Sequence, residues 1–254
     1  MSETPDGRAP APPASIRTAR PRARVTWRSP WTLVVGIISI ATLVYVLPPY
    51  LTFDPATARN TFLPGFSAHY ALILFHVFTG AVAWVTGILQ VWPWLLRKFP
   101  KVHRFSGLAY VFAGALPTTV VAVVLRTVAG IRDHSVQPGA LGLYVAAVLW
   151  FGTTLLGYVR ARQHRWVAHR RWMTYSVAMS LTTLWNRPVA IFTMAYFPAS
   201  LPPVLEAIGW FPMILHLGIA HWWVTKRRSA VLEDMLRKTP ANPRVKARQL
   251  DEAA

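Results

Sequence analysis

Long apolar runs alternate along the chain with short stretches that are rich in basic residues, proline and glycine. A run of about 20 apolar residues is what an α-helix needs to cross the hydrocarbon core of a bilayer. The pattern therefore predicts an all-α polytopic membrane protein, a bundle of about six transmembrane helices. The predicted spans cover residues 31–47, 68–92, 107–125, 139–159, 172–196 and 207–225.

The two ends of the chain lack this pattern. Residues 1–30 are rich in proline, alanine and arginine, which predicts a disordered basic arm. No small-residue cleavage site follows the run 31–47, so we interpret it as a retained first span rather than a signal peptide. Residues 226–254 are expected to form a tail. The membrane domain is thus predicted to cover residues 31–225.

The distribution of charge predicts the orientation. With a cytoplasmic N-terminus, the inner segments hold 23 of the 27 Lys and Arg residues and the outer segments hold 3. An excess of Lys and Arg on the cytoplasmic side is the general rule for inner-membrane proteins. We therefore expect both termini in the cytoplasm, the protein in the plasma (inner) membrane, and anionic lipids at the cytoplasmic face.

Composition narrows the classes of function. The net charge of +18 does not predict nucleic-acid binding, because the basic residues lie in short runs between spans. The absence of cysteine excludes disulfides, thiolate metal sites and covalently attached haem, but not haem held by histidine. The predicted spans contain no Asp or Glu, which disfavours a proton-coupled transporter.

Histidine, arginine and glycine recur in a pattern. His103-Arg104 and His169-Arg170 both stand where a helix re-enters the membrane from the cytoplasm, so the two halves of the chain resemble each other at their inner turns. The spacing His-x3-Gly-x6-Gly also occurs twice, and its members fall on one helix face. The two sets are His76, Gly80 and Gly87, and His103, Gly107 and Gly114.

One hypothesis for this pattern is a two-haem b-type cytochrome that transfers electrons in the membrane, with quinone as the candidate redox partner. Small residues would make room for a porphyrin, and imidazoles from two helices would ligate its iron. The depths of the histidines pair His76 with His216 in the outer half and His103 with His169 near the inner boundary. The candidate propionate or polar partners are Arg104, Arg170 and Arg187.

The hypothesis that the sequence favours, with haem binding as its alternative, asks less of these residues. Glycine stripes are commonly helix-packing surfaces, and His-Arg pairs at a membrane edge also anchor anionic lipid. On this reading the chain is a packing, assembly or accessory membrane protein that contacts another membrane protein. A transporter is a further alternative. The pattern identifies no catalytic residue, so enzymatic activity stays open.

The segment 169–187 resembles the signature of a bacterial family known as domain of unknown function 2306. The resemblance is carried by His169-Arg170-Arg171-Trp172-Met173, followed by Ser176, Ala178 and Arg187, and by His103-Arg104-Phe105-Ser106-Gly107 and His76 with Gly80 and Gly87 before it. It covers roughly residues 68–225. The resemblance implies a multi-span membrane fold and no established activity.

Overall fold

The structure is a computed structural model that describes residues 30–58, 66, 68–132, 134 and 138–238. At positions 30–32, 185, 187 and 227–238 it describes the backbone alone. The expected basic arm and the last part of the expected tail lie outside the described residues.

The described residues are almost entirely helical and contain no strand. Proline occupies the first turn of several helices, where its missing N–H has no helical partner to lose. A π-helical segment, Tyr110–Ala115, joins α5 to α6 without a break. The helices are α1 (Pro30–Val46), α2 (Pro48–Leu51), α3 (His69–Val91), α4 (Pro93–Lys98), α5 (Pro100–Ala109), α6 (Leu116–Arg132), α7 (Ala140–Arg162), α8 (Trp166–Ser180), α9 (Thr183–Tyr196) and α10 (Leu201–Lys238).

Four helical segments of the described chain are long and apolar enough to cross a membrane: His69–Val91, Pro100–Arg132, Ala140–Arg162 and Pro198–Lys226. They correspond to the second, third, fourth and sixth predicted spans. The first predicted span contains the shorter apolar helix Leu33–Val46. The last helix continues to Lys238, beyond the predicted end of the membrane domain at residue 225.

The fifth predicted span is two helices, because the regular α-helical hydrogen bonding is interrupted at Leu181 and Thr182, where the backbone N–H of Thr182 bonds to the carbonyl three residues earlier. Three hydroxyl groups here donate to the carbonyl three residues earlier: Ser180 to Val177, Thr182 to Met179 and Thr183 to Ser180. Such local bonds compete with regular helical bonding. We expected the interruption at residues 186–188, but Pro188 lies inside α9.

Two antiparallel hairpins form the centre of the bundle. The first hairpin consists of α3 against α5, the π-helical segment and α6, and the second consists of α7 against α8. The first hairpin meets the second mainly through α6 and α7, and α10 packs along α7, α8 and α9. Large apolar side chains remain exposed on the outside of the bundle. Such a surface is favourable in the hydrocarbon of a bilayer and unfavourable in water.

The glycine stripes lie at the contact between α3 and the rest of the first hairpin. A Cβ atom at Gly114 would lie 2.8 Å from the backbone of Ala83, so the two helices touch there. Gly87 faces the ring of Tyr110 and Gly80 faces Thr118. The expected close approach of helices is confirmed at these positions, and the space beside the glycines is filled by the facing helix.

Candidate functional site

The structure brings His103 and His169 together at the end of the bundle where both hairpins turn. His103 lies near the start of α5 and His169 near the start of α8, and the two imidazoles are close enough to interact electrostatically. Both rings are half-buried. The inner histidine pair of the sequence hypothesis therefore lies at one end of the bundle, although α5 and α8 form no extensive contact within the described residues.

The orientation of His169 is fixed by the helix that precedes it. Its Nδ1 atom lies 2.8 Å from the carbonyl oxygen of Gly157 on α7. A carbonyl only accepts hydrogen bonds, so Nδ1 carries the proton and donates, and Nε2 keeps its lone pair. A Cβ atom at Gly157 would lie 2.5 Å from the sulfur of Met173, so a larger residue here would displace the Met173 side chain. His169 is thus held in the tautomer that a metal-ligating histidine adopts.

His103 is held through its backbone rather than through its ring. Gln90 at the end of α3 donates from its side-chain nitrogen to the His103 carbonyl over 2.8 Å and to Ser106 Oγ over 2.7 Å. The Nδ1 atom of His103 is buried and has no hydrogen-bond partner among the described residues. An unsatisfied buried polar atom costs about 1–3 kcal/mol, which makes His103 the unusual member of the pair.

Further into the membrane, four side chains close a ring of hydrogen bonds. The indole nitrogen of Trp150 donates to the Tyr110 hydroxyl over 3.2 Å. The Tyr110 hydroxyl lies 2.8 Å from Ser176 Oγ, which lies 2.6 Å from Thr154 Oγ1. Thr154 donates back to the Trp150 carbonyl over 2.7 Å. Tyr110, Thr154 and Ser176 have no solvent-accessible surface.

The two groups of Trp150 in this hydroxyl ring, its indole N–H and its carbonyl, fix the direction of the hydrogen bonds. An indole N–H only donates and a carbonyl only accepts, so Tyr110 donates to Ser176 and Ser176 donates to Thr154. Every hydroxyl then donates once and accepts once. A fully satisfied buried network rigidifies a core and specifies one packing. The ring therefore joins the π-helical segment to α7 and α8, whereas the histidine pair retains an unpartnered nitrogen.

The two hairpins are related by a repeat. Tyr110 and Ser176 are 66 residues apart, and the same interval separates His103 from His169 and Trp84 from Trp150. The indole nitrogen of each tryptophan donates to the other hairpin. Trp84 donates to the Ser180 carbonyl on α8 over 3.2 Å, and Trp150 donates to the Tyr110 hydroxyl on the π-helical segment. The resemblance of the two inner turns thus extends to an approximate two-fold arrangement.

The other predicted histidine pair is arranged differently. His76 Nδ1 lies 3.0 Å from Thr118 Oγ1 and 3.1 Å from the Thr118 carbonyl, within the first hairpin. His216 lies beside the backbone of Pro212, one turn earlier on α10. Within the described residues α3 and α10 form no extensive contact. The structure therefore does not bring His76 and His216 together across one helix interface.

Two of the three predicted arginines lie on the surface, next to the histidine pair. Arg104 and Arg170 are exposed at the end of the bundle that carries the histidine pair. The side chain of Arg187 lies outside the described part of the structure, so its expected role as a propionate or polar partner stays a prediction. Within the described residues, no group of three or more His, Cys, Asp or Glu side chains is arranged to hold a metal ion.

Sequence reasoning missed the hydroxyl ring. Thr154 and Ser176 are common small polar residues of membrane helices, and although Ser176 belongs to the segment that carries the family resemblance, neither was predicted to form a buried contact. The available signal was the 66-residue interval, which places Tyr110 opposite Ser176 once the His-Arg pairs are aligned.

Comparison with known proteins agrees with this architecture. The family model described as a predicted membrane protein, domain of unknown function 2306, matches residues 73–224. The chain belongs to this family. The match covers both hairpins almost completely, together with α9 and most of the apolar part of α10, and so contains His103, His169 and the hydroxyl ring. No curated protein and no solved structure matches the chain.

Proposed function

We propose that this integral membrane protein binds one b-type haem between its two hairpins and uses it for electron transfer in the membrane. The observation that carries the proposal is that His103 and His169, 66 residues apart at equivalent positions of the two repeats, lie within electrostatic range of each other at one end of the bundle, and that the buried Nδ1 of His103 has no partner among the described residues.

The donor set fits this group. Two imidazoles from different helices are common axial ligands of b-type haem, and a chain without cysteine has neither covalent thioether attachment nor a thiolate ligand. His169 would ligate through Nε2, since Nδ1 donates to Gly157. Arg104 and Arg170, next to the two histidines, supply positive charge for propionates. A bound haem would supply one-electron redox chemistry, with a membrane quinone as the proposed partner.

The proposed topology has six spans with both termini in the cytoplasm of a plasma (inner) membrane. The two hairpin turns that carry the histidines are rich in Lys and Arg and lie at the same end of the bundle. At this end Lys98 lies 5.3 Å from the ring centre of Trp94 and Arg171 lies 5.4 Å from that of Trp172. Paired aromatic and basic side chains are typical of an interface with anionic lipids.

A second candidate is a packing or accessory protein that contacts another membrane protein and binds no cofactor. It is favoured by the glycine contacts, because the space beside Gly80, Gly87, Gly107 and Gly114 is filled by the facing helix. On this alternative the His-Arg pairs are lipid anchors.

A reduced-minus-oxidised visible spectrum of the purified protein in detergent distinguishes the two candidates. The haem proposal predicts sharp low-spin b-type bands and close to one haem per chain. His103→Ala and His169→Ala should each abolish those bands while helical circular dichroism is retained. His221→Ala is the matched control, because His221 is exposed and bonded to Tyr175. A colourless protein from haem-sufficient cells would overturn the proposal and leave the packing candidate.

A further inference from the structure

The side chain of Gln90 links the end of α3 to the turn of α5 that carries His103. Its nitrogen has two N–H groups, and both are used: one on the His103 carbonyl at 2.8 Å and one on Ser106 Oγ at 2.7 Å. Ser106 in turn donates to the Val102 carbonyl over 2.7 Å. One amide group on α3 therefore fixes both the backbone of the His103 turn and its neighbouring hydroxyl.

Gly107 leaves the space in which this amide lies. A Cβ atom at Gly107 would be 3.2 Å from the Gln90 side-chain oxygen, closer than an ordinary van der Waals contact. The glycine of the second stripe thus accommodates a hydrogen-bonding side chain of the same hairpin. Its position is explained without a cofactor beside it.

The two histidines are consequently positioned by different means. His169 is oriented by its own ring, through the Gly157 carbonyl, whereas the ring of His103 has no hydrogen-bond partner among the described residues. The polar contact that places His103 opposite His169 is the one made by Gln90.

We infer that Gln90 is the positioning residue for the His103 side of the histidine pair, and that it sets the separation of the two imidazoles. The inference rests on the proposed function only in calling this pair a ligand site. The separation itself is measurable without any bound group.

The chain contains no cysteine, so introduced cysteines report this separation cleanly. We would replace both histidines in a His103→Cys/His169→Cys variant and treat the protein with a short bis-maleimide. Mass spectrometry then measures the yield of intramolecular crosslink. Adding Gln90→Leu should lower the yield several-fold, because the α5 turn loses both donors. Gln163→Leu is the matched control, since Gln163 is exposed at the end of α7 and bonds only locally to Arg160.

Gln90→Glu provides a second variant of nearly the same shape that lacks both donors and should reduce the yield in the same way. In the chain with both histidines present, either change should convert part of the low-spin spectrum to high-spin. An unchanged crosslink yield in both Gln90 variants would overturn the inference even if the protein binds haem. A reduced yield in a colourless protein would support the positioning role and refute only the haem proposal.

Discussion

Tyr110 on the π-helical segment and Ser176 on α8 occupy equivalent positions of the two repeats, and their hydroxyl oxygens lie 2.8 Å apart in the fully buried centre of the bundle. A π-helical turn inserts an extra residue into a helix and is found often where a side chain must be redirected. Here the segment begins at Tyr110 itself. The hydroxyl ring between the repeats thus depends on one phenol group.

Replacing this phenol group should destabilise the protein without removing the histidine pair. In Tyr110→Phe the indole N–H of Trp150 loses its acceptor and Ser176 loses a donor. We expect a loss of about 1–2 kcal/mol, since hydrogen bonds between membrane helices contribute at most about that much. Thermal unfolding in detergent, followed by tryptophan fluorescence, measures the loss.

Tyr144→Phe is the control for that measurement. The Tyr144 hydroxyl bonds to Thr127 over 3.1 Å at an exposed position, so its removal should change the melting temperature little. Equal melting temperatures for the Tyr110 and Tyr144 variants would show that the ring does not stabilise the bundle.

Gly114 should tolerate no side chain. A methyl group there would lie 2.8 Å from the backbone nitrogen and Cα of Ala83, and backbone atoms cannot move aside as a flexible side chain can. Gly114→Ala should therefore cost about 1–3 kcal/mol, the usual range for overpacking. The midpoint of denaturant unfolding is the measurement.

Gly218→Ala tests whether this cost comes from the contact or from the loss of a glycine in general. No atom lies within 4 Å of a Cβ placed at Gly218, which is also helical. The substitution should be neutral or stabilise by a few tenths of a kcal/mol, because alanine has the higher helix propensity. If both variants were equally stable, the close approach of α3 to the π-helical segment would be refuted.

The sequence predicts the helices of this protein well because one physical rule dominates them. A segment that crosses hydrocarbon must be apolar over its whole length and must satisfy its own backbone, so composition alone locates most spans. The segment from His169 to Met173 likewise identified the family, which the match over residues 73–224 confirms.

The break in the fifth span and the hydroxyl ring depend on contacts that composition does not reveal. Pro188 is the conspicuous helix breaker, yet α8 ends at Ser180, where three neighbouring hydroxyls bond locally. The ring joins positions that are 22 to 66 residues apart. The role of Ser176 follows from the packing of α8 on α7 and on the π-helical segment, which places its hydroxyl between Tyr110 and Thr154.

His76 should contribute to stability rather than to ligand binding. Its Nδ1 contacts Thr118 within the first hairpin, and His216 lies on a helix that does not pack extensively against α3. His76→Ala should therefore keep the full b-type absorbance per chain and lower stability by about 1 kcal/mol, the net value of a typical hydrogen bond. Loss of half the absorbance would instead indicate a second haem, as the pairing by depth suggested.

The proposed topology is tested by single cysteines on the exposed ends of the bundle. Ala56→Cys lies in the short turn after α2, and Arg162→Cys lies at the histidine end of α7; both positions are exposed. If α1 crosses the membrane and the termini are cytoplasmic, a membrane-impermeant maleimide should label the first variant in intact protoplasts. It should label the second only after lysis, because the segment around Arg162 carries the excess of positive charge. Ser200→Cys, exposed on the side expected to face outward, should follow Ala56→Cys. Labelling of Arg162→Cys in intact protoplasts would reverse the orientation and place the histidine pair at the outer face.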